Sequence, residues 1–315
     1  MLEAVRAMDR RSAEDFFATA DPVELVTAVA ATDDEDLLGH VRRPEIRAAA
    51  VRGILARLDE FAVPEQLAKL HGVARFDLTD GGEVRERHAL RFGQEGIALL
   101  EDHPEDAPRD VAVRTSVLRF VRLVSGERNA ALEFLGGTLD IEGDELMALD
   151  VGSLFRVPGH DEVALDPRTL DPVDVATVLE GVPTRHLRKV MGGDIRGIVL
   201  GEIFRRLPEF VDPGRAAKVR LQVGFRLTGG PGQEPDRYLV SVDRGAATVT
   251  SGEAGVRRDA TVTCEGHDFL RLATGHLNPV SGVLRGHLKV KGDRSKALLL
   301  SSLIDIPSAR GVASR

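Results

Sequence analysis

The 315-residue sequence has one cysteine, Cys264, no tryptophan and one tyrosine, Tyr238. A single thiol excludes an internal disulfide and a cysteine-rich zinc site. Aromatic residues make up only 4%, too few for a protein that stacks bases on aromatic platforms, so nucleic acid is not an expected partner. No apolar run approaches the roughly 18 residues that span a bilayer. The opening stretch, MLEAVRAMDRRSAEDFF, is charged throughout and unlike a secretory signal. A cytoplasmic protein is expected. The Gly192-Gly193-Asp194-Ile195-Arg196-Gly197 stretch lacks the Lys-Ser or Lys-Thr of a phosphate loop and reads as a helix break. No G-x-S-x-G elbow or H-E-x-x-H pair occurs. His276 and His287 read as exposed polar side chains, and Cys264 as a small packed thiol. His267-Asp268 are sequence neighbours, which does not orient a catalytic pair. No catalytic residue, metal or cofactor is expected, and the chain is read as a non-enzyme.

The composition is otherwise that of a globular protein, with 43% hydrophobic and 29% charged residues. Its organising feature is an internal repeat at an offset of 149. Ile46–Pro158 overlays Ile195–Pro307 without a gap, with about 35 identities in 113 positions. Matches include Phe76/Phe225, Leu78/Leu227, Leu90/Leu239, Gly96/Gly245, Phe120/Phe269, Asn129/Asn278, Leu139/Leu288, Gly143/Gly292 and Asp144/Asp293. One residue of shift brings Asp21-Pro22-Val23 onto Asp171-Pro172-Val173. The repeat defines two tandem units, residues 1–158 and 159–315, rather than a solenoid. The units differ in charge. Residues 1–149 hold 18 Lys+Arg and 30 Asp+Glu, and residues 150–315 hold 24 and 20. Surface drift would give this difference, and so would an anionic partner met only by the second unit.

The periodicity of the second unit is the clearer. Val219, Leu221, Val223, Phe225 and Leu227 alternate with mainly polar neighbours, as in a half-buried strand. A Gly/Pro-rich turn follows, then strands in RYLVSV, ATVT and DATVTC. Phe269, Leu270, Leu272 and Ala273 fall at helical spacing, with Gly275 placed to end that helix. Asn278-Pro279 opens a short turn or helix. Val283–Val290 alternates as a fifth strand, and Asp293 is suited to cap a last helix. Each unit therefore reads as α+β, an antiparallel-rich sheet covered by helices. The helical parts are 10–60 and 171–210, and the sheet parts are 66–158 and 213–307.

The stretch Phe269–Asp293, FLRLATGHLNPVSGVLRGHLKVKGD, resembles the sterol carrier protein type 2 family. It has an apolar helix ending at Gly275, then Asn278-Pro279, then the run Gly286-His287-Leu288-Lys289-Val290-Lys291-Gly292-Asp293. The first unit resembles a diverged member. It has Ala130 where the second has Pro279, and Asp140, Glu142, Glu145 and Met147 where the second has Lys289, Lys291, Arg294 and Lys296. The resemblance implies two sterol-carrier-like domains, each a five-stranded sheet with an apolar tunnel beneath helices. It also implies non-covalent binding, and transfer, of a fatty acid, acyl-CoA or sterol-like lipid. The leading helices lie outside the family pattern.

Beside the resemblance, the apolar residues placed to line a tunnel in the second unit are Phe269, Leu272, Val283, Leu284, Leu288, Leu299, Leu303 and Ile304. In the first they are Phe120, Leu123, Phe134, Leu135, Leu139, Leu149, Leu154 and Phe155. Each of them serves equally as core packing. Lys289, Lys291, Arg294 and Lys296 cluster near the strand-to-helix turn and suit a carboxylate, a phosphate or anionic head groups, or a solvated edge that resists strand pairing. Expected partners are a hydrophobic small molecule, an anionic membrane surface and a second copy of the chain. The alternative reading is an interaction or dimerisation protein with filled cores. The Ala- and Arg-rich, Lys-poor composition fits a high-GC bacterial source.

Overall fold

The structure is a computed structural model. It describes residues 2–5, 7–100, 103–160, 163, 166–232, 234–252 and 257–306. The chain divides into two compact units between Asp166 and Pro167. The end expected for the second sheet part, residue 307, lies outside the described residues.

Unit 1 begins with helices α1 (Leu2–Val5), α2 (Arg10–Thr19), α3 (Pro22–Ala30), α4 (Asp34–Val41), α5 (Pro44–Ala56) and α6 (Pro64–Leu67). Strands β1 (Gly72–Asp80), β2 (Glu83–Gly93), β3 (Gly96–Leu100) and β4 (Val111–Ser116) follow. Then come α7 (Val117–Val124), α8 (Ala130–Leu135), β5 (Asp140–Gly143) and α9 (Glu145–Leu154). Unit 2 repeats this with α10 (Pro172–Val178), α11 (Thr184–Gly192), α12 (Arg196–Arg206) and α13 (Pro213–Ala216). Its strands are β6 (Arg220–Thr228), β7 (Asp236–Asp243), β8 (Ala246–Ser251) and β9 (Ala260–Glu265). It ends with α14 (Gly266–Ala273), α15 (Pro279–Leu284), β10 (Lys289–Gly292) and α16 (Arg294–Leu303).

Local chemistry sets the element ends. Asp21 and Asp171 cap α3 and α10 ahead of a proline at the first helical position. Asn278 caps α15 by accepting from the Val280 and Ser281 amides, with Pro279 next in line. Gly286, at φ +82°, follows that helix. This cap corrects the sequence reading of a strand from Val283 onward: Val283 and Leu284 belong to α15, and β10 begins only at Lys289. Asp293 caps α16 through the Ser295 and Lys296 amides.

The two sheets have orders β3-β2-β1-β4-β5 and β10-β9-β6-β7-β8. Both are mixed, with β1–β4 and β6–β9 parallel and the other pairs antiparallel. The 149 offset is exact in the register of the inner strands. Ala74 pairs with Val111 and Val223 with Ala260, while Val111 pairs with Gly143 and Ala260 with Gly292. It fails by one residue along β2. Ala74 pairs with Leu90, but Val223 pairs with Val240, so Leu90 corresponds to Val240 and not to Leu239. The second hairpin is one residue longer, and a one-residue slip moves a side chain to the other face. Leu90 is buried under the helices, whereas Leu239 sits opposite Gly224 on the other face.

Helices cover one face of each sheet. In unit 2 that face carries Leu221, Val223, Phe225 and Leu227 from β6 and Val240 and Val242 from β7, all buried. Two buried polar ties hold the layers. In α12, Arg196 is 2% exposed. Its Nε donates to Asp236 at 2.7 Å, Nη1 to the Met191 carbonyl at 2.6 Å, and Nη2 to the Leu227 and Thr228 carbonyls at 3.0 and 3.2 Å. Its repeat partner Arg47, in α5, donates to Glu86 of β2 at 2.8 Å and to the Val41 carbonyl at 3.2 Å. One residue type at one repeat position thus fastens the leading helices to the first hairpin twice.

The second tie lies where the helix after the fourth strand meets the fifth strand. In unit 1 the buried Glu133 meets Arg128 at 2.6 Å and Arg119 at 3.1 Å and accepts from the Thr138 hydroxyl. Burial alone would raise its pKa, but the Thr138 hydrogen bond and the two guanidiniums win and hold it below the usual carboxylate range. Unit 2 uses histidines instead. Asp268 lies 3.4 Å from His267 Nε2 and 3.2 Å from His287 Nδ1, and His267 Nδ1 lies 3.1 Å from Glu265. Burial lowers the His267 pKa, with the Arg188 and Arg271 charges adding to it and Asp268 and Glu265 opposing.

Three outcomes are expected, each read by the fluorescence of Tyr238, the sole tyrosine, which reports unit 2 in a chain without tryptophan. Arg196→Met leaves three carbonyls and Asp236 without their donor and should lower the stability of unit 2 by about 3 kcal/mol in urea unfolding; a loss under about 1 kcal/mol would contradict the tie. At Gly292 (φ +92°) an added Cβ would stand 2.5 Å from the Asp259 carbonyl oxygen, so Gly292→Ala should cost about 2 kcal/mol. The folded-state pKa of His267 lies below its unfolded value of about 6.5, so the unfolded chain binds the extra proton. Its contribution is therefore complete above that value and is lost as the pH falls through it. The stability of unit 2 should fall between about pH 7 and 5, and His267→Gln should flatten that slope.

Candidate functional site

The candidate site is the layer between sheet and helices in unit 2. Phe269, Leu288 and Leu303 are buried there, at 3, 3 and 2% exposure. Leu272, Val283 and Ile304 are half-buried. Ile304 bridges to Val211, and the Asp212 amide donates to the Leu303 carbonyl at 2.9 Å, so the end of α16 is stitched to the start of the sheet segment. Leu284 and Leu299 stand outside this layer, 81 and 38% exposed. The structure therefore brings six of the eight apolar candidates inward.

Two residues absent from the sequence reading complete the layer. Phe204 of α12 stacks on Tyr238 at 3.8 Å and on Phe269 at 4.9 Å, and its ring meets Phe225 edge-on at 5.7 Å. The signal for Tyr238 was present, since it is the only tyrosine and lies on an alternating strand. Phe204 carried no repeat signal, because its partner is Leu55. In unit 1 the corresponding layer sets Phe76 against Phe120, at 6.1 Å. Phe120, Phe134, Leu135, Leu139 and Leu154 are buried there, and Leu123, Leu149 and Phe155 are half-buried.

The four cations expected at one head-group site do not converge. Lys289 pairs with Thr263, and Lys291 with Thr261, which places both on the face opposite Phe225 and Val262, away from the helices. Lys296 donates to the Arg220 carbonyl at 3.0 Å and meets Asp259 at 3.3 Å. Arg294 is exposed on α16. Their adjacency in sequence spans the end of a strand, whose two lysines share the open face, and the first turn of a helix that leaves in another direction.

The open face of unit 1 holds a different feature, a charged cavity of about 700 Å³. Its floor is the buried pair Arg75–Asp77, at 2.8 Å, and Arg87 joins Asp77 at 2.9 Å. Arg109 meets Glu142 at 3.0 Å across its wall. An alkyl chain placed there would desolvate these charges without pairing them, so this cavity does not suit an apolar ligand.

Burial pushes the Cys264 thiol up to about 12, so it is not a thiolate near neutral pH. Among the described residues, no three or more His, Cys, Asp or Glu side chains are grouped to hold a metal ion. No described helix is long and apolar enough to cross a membrane.

Comparison with known proteins gives this geometry a family. The SCP-2 sterol transfer family matches residues 53–156 and again residues 200–305. Sterol carrier protein 2 of Homo sapiens is 30% identical over 125 residues, covering 40% of this chain and 22% of that protein. Sterol carrier protein 2 of Arabidopsis thaliana is 32% identical over 89 residues, covering 27% of this chain and 72% of that one. Among solved structures, apo sterol carrier protein 2 of Yarrowia lipolytica aligns at 19% identity and a TM-score of 0.30, covering 36% of this chain and 98% of its own. The chain thus spans about a fifth of the human relative's length. Arg47 and Arg196 both lie ahead of the matched segments, so these guanidiniums join the added helices to the shared domain. On the two matched segments and the repeat that relates them, the chain belongs to the SCP-2 sterol transfer family, as a tandem of two α+β domains.

Proposed function

We propose that the chain binds and carries a hydrophobic ligand, a fatty acid, an acyl-CoA or a sterol-like lipid, by burial alone and without covalent chemistry. The working site is the helix-covered layer of unit 2, and unit 1 binds weakly or serves as a scaffold. The observation that carries this reading is the apolar layer from Val223, Phe225 and Val262 to Phe269, Leu288 and Leu303, with half-buried Leu272 and Val283 at its margin. Burial of a chain there would contribute about 0.8 kcal/mol per methylene, enough for useful affinity with few polar contacts. The heavily charged surroundings of unit 1's open-face cavity favour the interior of unit 2 over that site.

A second reading, an interaction or dimerisation protein with filled cores, is favoured by the stack of Phe204 on Tyr238 and Phe269, which occupies part of the same layer. The two readings diverge in titration of the full chain with a fluorescent fatty acid. The carrier reading predicts saturable, competable binding. Val283→Phe or Leu272→Phe should weaken it at least tenfold, about 1.4 kcal/mol, while Leu123→Phe in unit 1 changes it little. No binding, together with a stable dimer by light scattering, would select the second reading. Equal loss from Leu123→Phe would place the working site elsewhere.

A further inference from the structure

Four of the seven large apolar side chains described as exposed lie on two adjoining helices of unit 2: Val280 and Leu284 on α15, and Leu298 and Leu299 on α16. Val280 and Leu284 are four apart and share one helix face, as do Arg294 and Leu298. A leucine at 81% exposure packs on nothing in its own unit. In unit 1 its repeat partner, Leu135, is 6% exposed, so the fold accommodates this position buried. The charge around it is reversed between the units. Pro279–Leu303 holds Arg285, Lys289, Lys291, Arg294 and Lys296 against the single acid Asp293. The equivalent segment 130–154 holds no Lys or Arg and six acids. Asp293 is committed to capping α16, and Lys296 to Asp259 and the Arg220 carbonyl. The exposed remainder is Arg285, Lys289, Lys291 and Arg294. Lys289 and Lys291 of edge strand β10 lie on the sheet face away from the helices, so the cations beside the exposed apolar side chains are Arg285 and Arg294.

We propose that the α15–α16 rim of unit 2 docks on an anionic phospholipid bilayer. Val280, Leu284, Leu298 and Leu299 enter the head-group region, and Arg285 and Arg294 pair with lipid phosphates. Exposed leucines beside cations fit such a surface on both counts: apolar side chains partition into the acyl boundary, and cations gain from the negative surface potential. A partner protein that used charge alone would leave the leucines without a role, and a second copy of this rim would bring like charges together. The same rim of unit 1, acidic and with Leu135 turned inward, is repelled, which makes docking one-sided. The proposal rests on the carrier reading in that the docked rim is built from the elements that cover the ligand layer, α15 and α16.

Flotation of the full chain with vesicles of phosphatidylcholine, alone or with about one third phosphatidylglycerol, tests it. Binding is expected only with the anionic lipid and should weaken steeply with salt. Arg285→Glu/Arg294→Glu should reduce it at least tenfold, and Leu284→Ser several-fold, while Leu146→Ser on the exposed surface of unit 1 leaves it unchanged. Leu284 is exposed, so its substitution does not threaten folding. Absence of binding to anionic vesicles would overturn the proposal. So would equal binding by the Arg285→Glu/Arg294→Glu variant, or a dimer by light scattering that Leu284→Ser dissolves. Fatty-acid titration without vesicles separates the failures: ligand binding with no flotation defeats docking alone, and flotation with no ligand binding defeats the carrier reading alone.

Discussion

A guanidinium can satisfy several acceptors at once in a fixed fork, and each unit places one where its leading helices meet its sheet. Arg196 collects the end of α11, the end of β6 and the start of β7 within 3.2 Å, and Arg47 does the corresponding work between α5 and β2. A buried charge of this kind is costly unless every neighbour is in place. The helices outside the family match are therefore not loose additions. The hairpin that carries Phe225 and Tyr238 is held from behind by α12, which also contributes Phe204 to the layer. The position of the apolar site follows from this polar fastening.

A second consequence concerns the two faces of the sheet. Apolar identities of the repeat, such as Phe76/Phe225, Leu78/Leu227 and Leu139/Leu288, fall on the helix-covered face. Substitutions of charge fall on the other face and on the rim, with Asp77, Asp140 and Glu142 replaced by Arg226, Lys289 and Lys291. One scaffold thus carries two surfaces of opposite electrostatic character. In unit 1 the open face closes on itself through Arg75, Asp77 and Arg87. In unit 2 the space over Gly224 is taken by the Arg258 side chain, and cations dominate the face.

Much of this was legible in the sequence, because period-two patterns and caps are local. The five strands, the α+β order, the Asn278 and Asp293 caps and the tandem repeat follow from residue spacing alone. The shortfalls have physical causes. The alternation over Val283–Val290 resembled a strand, yet Asn278 and Pro279 start a helix that consumes its first residues. A gapless overlay could not register a hairpin one residue longer, and so it equated Leu90 with Leu239 across opposite faces. Lys289 and Lys291 share the open face of the sheet, but Arg294 and Lys296 follow on a helix, where Lys296 is held by Asp259 and the Arg220 carbonyl, so neighbours in sequence do not make one site. Leu284 and Leu299 were apolar and correctly placed on their elements, but exposure is a tertiary property. Arg47 and Arg196 were an identity of the repeat, and nothing in one dimension distinguishes a buried arginine from a solvated one.

The most direct measurement is isotope-filtered NMR of the full chain, methyl-labelled, with carbon-13 palmitate. The account predicts contacts from the acyl chain to the methyls of Leu272, Val283, Leu288 and Leu303, and none to Leu139 or Leu154 of unit 1. An acyl chain that contacts only unit 1, or no interior methyl at all, would contradict it.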